Sequence, residues 1–187
     1  MADLRLFIAA PTPDALRERL DGLSRSLGSR DDGVKWVSGA NIHLTLKFLG
    51  AVDEKMVDSL DEAAVRSARG VGEIRLHVDG LGMFPNAQRP RVIWVGLSGD
   101  IERLTRVRDA LEESCLSLGF PKEGRPFRPH LTLGRVRERI PVEALKRIEE
   151  NRDVSLGEVV VGTMELIKSD LRPSGAVYTT LSHYPLT

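Results

Sequence analysis

His43-Leu44-Thr45-Leu46 is repeated letter for letter at His130-Leu131-Thr132-Leu133. Each copy lies in a run of strand composition, HLTLKFLG from His43 to Gly50 and RPHLTLGR from Arg128 to Arg135. Successive side chains along a strand alternate between its faces, so residues i and i+2 share one. His43 and Thr45 therefore point one way, and Leu44 and Leu46 the other. His130 and Thr132 are set against Leu131 and Leu133 in the same manner. If the two strands face each other, two imidazoles and two hydroxyls converge on one cleft.

The surrounding pattern is duplicated as well. A strand is predicted over Leu4–Ala10, closed by Pro11 and Pro13. A helix follows over Asp14–Leu27, with Leu16, Leu20, Leu23 and Leu27 as its apolar stripe. A turn over Gly28–Gly33 and a short strand over Val34–Val37 lead to the first motif strand, Ile42–Leu49, stopped by Gly50. A helix over Asp53–Ala68 ends near Gly70, and strands follow over Glu73–Phe84 and Arg91–Leu97. The order then restarts with a helix over Asp100–Leu118 and the second motif strand, His130–Val136. Pro141 opens a helix that runs to Glu150. Strands over Gly157–Lys168 and Ala176–His183 flank a turn at Arg172-Pro173-Ser174-Gly175.

His43 and His130 stand 87 positions apart, and the strands beginning at Leu6 (LFIA) and Ile93 (IWVG) share that offset. Each half also closes on an Arg-Pro, Arg89-Pro90 and Arg172-Pro173. The order and spacing predict a single α/β (α+β) domain over 1–187, duplicated and bilobal, with sequence halves of about 4–90 and 91–184. Two mainly antiparallel sheets, related by a pseudo-twofold axis, would face a central cleft with helices outside. That axis brings the two motif strands together.

Composition narrows the function. The 187 residues are 41% hydrophobic and 29% charged, with 27 basic and 27 acidic side chains and no net charge. An extended coat for non-specific nucleic-acid binding would need a basic excess, so only a local basic patch is left open. No apolar run approaches membrane-spanning length, and Met1-Ala2-Asp3-Leu4-Arg5 lacks a signal-peptide core. Cys115 is the lone cysteine, which excludes an intramolecular disulfide and suits a reducing compartment. A cytoplasmic monomer is expected, since one chain supplies both halves of the symmetric site. Neither a phosphate-cradling Gly-x-x-x-x-Gly-Lys loop nor a Gly-x-Gly-x-x-Gly turn is present, so no nucleotide cofactor is expected. A Gly-x-Ser-x-Gly elbow is also missing.

Histidine titrates near neutrality, so one copy can be neutral while the other is protonated. Opening a cyclic phosphate needs both: a base for the attacking water and an acid for the departing sugar oxygen. Thr45 and Thr132 can donate to phosphoryl oxygens as negative charge builds there. A metal site is not expected, because no acid or second histidine lies at ligand spacing from either motif. Arg125, Arg128, Arg135, Arg137 and Arg139 make a dense basic stretch. Strict alternation sends Arg135 to the face opposite His130 unless the strand bends at Gly134. If it bends, Arg135 can clamp a phosphate. Arg128 is a second candidate, while Arg137 and Arg139 read as a solvated edge. Phe48 can serve as a base-stacking surface, although core packing is the simpler role. Trp36 and Trp94 read as core, and His77 and His183 as ordinary strand histidines.

These runs, with RLFIAA at Arg5–Ala10 and RVIWVGL at Arg91–Leu97, resemble the two-histidine phosphoesterase superfamily. Within it the chain is similar to the bacterial and archaeal RNA 2′,3′-cyclic phosphodiesterases, also called the 2′-5′ RNA ligase or LigT-like family. The resemblance implies metal-independent opening of a 2′,3′-cyclic phosphate end of RNA to a 2′-phosphomonoester, and 2′-5′ ligation of RNA ends as a further activity. It implies His43 as proton donor, His130 as proton acceptor, Thr45 and Thr132 on the phosphate, and Arg135 nearby. Two other readings stay open on the residues alone. One is a non-catalytic module that binds RNA ends. The other is a relative acting on another cyclic phosphate or on 2′-5′ oligonucleotides.

Overall fold

A computed structural model describes residues 3–28, 32–173 and 175–187. Met1 and Ala2, positions 29–31 of the expected Gly28–Gly33 turn, and Ser174 of the last turn lie outside the described residues. The strands are β1 (Asp3–Pro11), β2 (Val34–Trp36), β3 (His43–Asp53), β4 (Ile74–Phe84), β5 (Val92–Gly99), β6 (His130–Val136), β7 (Ser155–Val161), β8 (Thr163–Arg172) and β9 (Gly175–Pro185). The helices are α1 (Asp14–Leu27), α2 (Val57–Ala68), α3 (Ile101–Leu116) and α4 (Val142–Glu150).

Two antiparallel sheets form, in the orders β3-β1-β8-β9 and β2-β6-β5-β4-β7. The run β3-β1-β8 corresponds to β6-β5-β4, which is the expected pseudo-symmetry. The sheets nevertheless do not follow the sequence halves. β4 leaves the first half to pair with β5, and β8 leaves the second half to pair with β1. The helices cross over in the same way. α1 packs on β6, β7 and α4, while α3 packs on β3 and α2. Each lobe is thus assembled from both halves of the chain.

Each helix buries the stripe that its spacing dictates. Leu16, Leu20, Leu23 and Leu27 of α1 are buried, as are Leu104, Val107, Leu111 and Cys115 of α3. These side chains join the inner leucines of both motifs, Leu44, Leu46, Leu131 and Leu133, in one apolar core. The opposite face of the first sheet carries a smaller cluster of Phe7, Ala9 and Ile167, with Tyr178 against it.

Three boundaries differ from expectation. β3 does not stop at Gly50 but runs on to Asp53, with Gly50 at φ +77°, a conformation that favours glycine. The stretch read as one strand over Gly157–Lys168 is two, β7 and β8, which part at Gly162 and enter different sheets. α2 starts only at Val57, because a 3-10 turn over Glu54–Met56 precedes it. Among the described residues no helix is long and apolar enough to cross a membrane.

Candidate active site

Both motif strands carry a bulge at the same position. On β3, Thr45 pairs with Ala9 and Lys47 with Ile8, so Leu46 is the extra residue. On β6, Thr132 pairs with Trp94 and Gly134 with Ile93, so Leu133 is the extra residue. A bulge reverses the parity of everything beyond it. Leu133 and Gly134 are consecutive buried residues, and Arg135 returns to the face of His130 and Thr132. The bend that alternation required for Arg135 is present. On β3 the same shift sends Phe48 to the face of His43 and Thr45. Phe48 is 61% exposed, so it is not a core residue. It stands 87 positions before Arg135: one bulge presents an aromatic ring, the other a guanidinium.

The two motif strands touch although they belong to different sheets. Each histidine is held in the same way. His43 Nδ1 lies 2.9 Å from the carbonyl oxygen of Asn41, and His130 Nδ1 lies 2.7 Å from that of Arg128. A carbonyl only accepts, so Nδ1–H is the donor in both rings. In the neutral rings Nε2 is then the nitrogen able to accept a proton. Burial pushes His43 down to about 4, opposed by the Asn41 hydrogen bond and reinforced by the Arg135 cation. Burial and Arg135 lower His130 too. Arg135 also acts on Tyr178, so one guanidinium is within electrostatic reach of both histidines and of the tyrosine.

Aromatic rings back each imidazole. Phe7 stacks on His43 with centroids 4.6 Å apart, and Tyr178 meets His43 edge-on at 5.3 Å. Phe84 meets His130 edge-on at 5.0 Å, and Trp94 lies 6.2 Å from it. Trp94 is therefore not a core residue. Its neighbours Ile93 and Val95 point into the core, and alternation turns Trp94 to the histidine side. The repeat carried that signal, since Phe7 and Trp94 are also 87 positions apart. Trp36, by contrast, packs against the core as expected. Tyr178 had no local signal, because its part depends on where β9 lies.

Arg128 offers its carbonyl to His130 while its side chain is exposed. Arg137 and Arg139 are exposed, and Arg125 pairs with Glu123. His77 is exposed on β4, and His183 contacts Glu165. Lys47 was not anticipated. It is only 3% exposed, and its ammonium donates to Glu112 on α3 and to the carbonyl of Pro121. Glu112 also takes Arg108 at 3.1 Å, and the Arg108 guanidinium lies over the Phe127 ring. Lys47 of the first motif strand thereby ties down the loop that leads to Arg128 and His130. Among the described residues no three His, Cys, Asp or Glu side chains gather as a metal site would require.

Known proteins resemble this chain in sequence and in fold. The family model for LigT-like phosphoesterases matches twice, over 10–94 and 95–178, one match for each repeat. An RNA 2′,3′-cyclic phosphodiesterase of Aeropyrum pernix is 38% identical over 166 residues, covering 87% of this chain and 92% of that protein. One of Archaeoglobus fulgidus is 35% identical and covers 95% and 98%. Escherichia coli LigT, solved with 3′-AMP, superimposes with a TM-score of 0.82 at 26% identity, over 99% of each chain. A duplicated chain with paired His-x-Thr strands, matched along nearly its full length by both kinds of relative, belongs to the LigT-like phosphoesterase family.

Proposed function

We propose that the chain is an RNA 2′,3′-cyclic phosphodiesterase that opens the ring by histidine acid–base catalysis without a metal. The observation that carries the reading is the matched pair of imidazoles. Each is fixed through Nδ1, and each is flanked by a threonine hydroxyl, with Arg135 acting on both. His130 Nε2 takes a proton from water as its oxygen attacks phosphorus. The P–O3′ bond breaks, and the 3′-oxygen takes a proton from His43 Nε2. The product is a 2′-phosphomonoester. Thr45, Thr132 and Arg135 hold the phosphoryl oxygens, with Arg128 at the rim. A 5′-hydroxyl in place of water would give a 2′-5′ linkage by the same transfers.

Symmetry does not distinguish acid from base; the family resemblance makes His43 the acid, and the position of Phe48 supports that choice. Phe48 lies 6.0 Å from Phe7, which stacks on His43, so an exposed aromatic surface adjoins the first histidine. A nucleobase on Phe48 brings its ribose, and hence the departing 3′-oxygen, to His43. In the free protein His43 is strongly disfavoured from taking a proton. The assignment therefore requires the substrate anion, which offsets Arg135 and raises both histidines. The pseudo-symmetric site is complete within one chain, which supports a monomer. The single buried thiol fits the cytoplasm.

Product analysis on an RNA ending in a cyclic phosphate, in EDTA, tests the reading. His43→Ala and His130→Ala should each lose about 10²–10⁴-fold in kcat. The double variant should be little worse than either. An aryl phosphodiester, whose leaving group needs no proton, should restore His43→Ala and leave His130→Ala inactive. Full activity of either variant on RNA would sink the proposal, and restoration of the wrong variant would reverse the roles. A module that only binds RNA ends would yield no 2′-phosphate at all.

A further inference from the structure

Lys35 is a cation of this cleft that the motifs do not include. On the short edge strand β2 it stands directly opposite Arg135 of β6. Cross-strand partners share a face, and like charges there destabilise the pair. The face is the one that carries His130. A Cβ on Gly134 would come within 2.7 Å of Val34 and 3.1 Å of Trp36, so those two residues lie on the core side and Lys35 on the other. The Lys35 ammonium reaches across to the first sheet. It lies 3.5 Å from where a side chain on Gly175 would begin, at the tip of the β8–β9 hairpin. The adjacent Ala176 carbonyl accepts a hydrogen bond from Asn41, the residue whose own carbonyl holds His43. Among the described residues neither Lys35 nor Arg135 has an ion-pair partner.

Two facing cations with no carboxylate between them make a strongly positive rim. A cyclic phosphate carries one negative charge, which Arg135 alone already balances. The additional cation beside Arg135 calls for an additional anion on the same substrate. We propose that Lys35 binds the phosphodiester that joins the terminal nucleotide to the rest of an RNA strand. It thereby selects polynucleotide ends over cyclic mononucleotides. This rests on the phosphodiesterase reading and deepens it.

The test compares a 2′,3′-cyclic mononucleotide with a short oligoribonucleotide ending in the same cyclic nucleotide. The kcat/KM ratio, oligonucleotide over mononucleotide, should fall about tenfold in Lys35→Gln, and the salt slope for the oligonucleotide should shrink by about 1. Lys35→Arg should keep both. Thermal stability of Lys35→Gln should be equal or higher, because a like-charge pair is relieved. An unchanged ratio in an active enzyme overturns the inference, as does a fall in the melting temperature together with equal losses on both substrates. A wild type that turns over neither substrate overturns the phosphodiesterase reading instead.

Discussion

Arg135 is the residue on which the electrostatics of the site turn. Burial lowers both histidines and the Arg135 cation adds to it, so each would lose protons more readily in the free protein than an ordinary imidazole does. The proposed reaction needs one imidazole charged and the other neutral, and kcat/KM reports the free enzyme. The kcat/KM profile should accordingly peak on the acid side of neutrality. Arg135→Gln should raise both histidine values and move the profile to higher pH, with kcat reduced because the proposed phosphate ligand is lost. Imidazole NMR titrations of wild type and Arg135→Gln check this; unmoved resonances would refute it. The burial of His43 also has a stability consequence. Its folded value of about 4 lies below the ordinary 6.5, so the unfolded chain binds more protons between those limits. This contribution is fully present above about pH 6.5 and is lost as pH falls toward 4. Denaturant titrations of wild type and His43→Gln across that window should show a smaller acid loss in the variant.

Among the elements, the two bulged strands explain what could and could not be read from the letters. Alternation sorted His43, Thr45, His130 and Thr132 onto one face because they precede the bulge. Phe48 and Arg135 lie beyond it, and an inserted residue leaves no mark in a period of two. Only Gly134 hinted at the bend. The bulges also differ at one position: Lys47 stands where the other strand has Gly134. Glycine there admits Val34 and Trp36, and with them the extra strand β2. Lysine instead reaches Glu112 and Pro121 and secures the loop before His130. Lys47→Met leaves Glu112 buried with Arg108 as its one remaining cation, and breaking a buried pair typically costs about 3–5 kcal/mol. Thermal denaturation should register that loss. NMR should show His130 altered before His43, since the freed loop carries the carbonyl that orients the second ring. Equal perturbation of both histidines would mean that Lys47 only stabilises the fold.

At the scale of the molecule, the duplication is legible but the exchange between its halves is not. The 87-residue offset records which strands correspond, whereas the choice of sheet partner has no counterpart in hydrophobic pattern. β4 and β8 read alike whether they stay with their own half or cross to the other. Because they cross, the chain is a pseudo-dimer whose halves have exchanged strands and helices, and its candidate site lies where two composite lobes meet. We propose that these halves act as one folding unit. Residues 1–90 alone would leave β1 without β8, β4 without β5 and β7, and α1 without α4. The unpaired edges and exposed apolar faces that result cannot support a stable sheet. Separately produced fragments 1–90 and 91–187 should each lack cooperative unfolding and dispersed amide resonances. Mixed in equal amounts, they should recover both together with cyclic phosphodiesterase activity, because each supplies the missing neighbours of the other. Cooperative unfolding of either fragment by itself would show that a half is an autonomous lobe and that the exchange is incidental to folding.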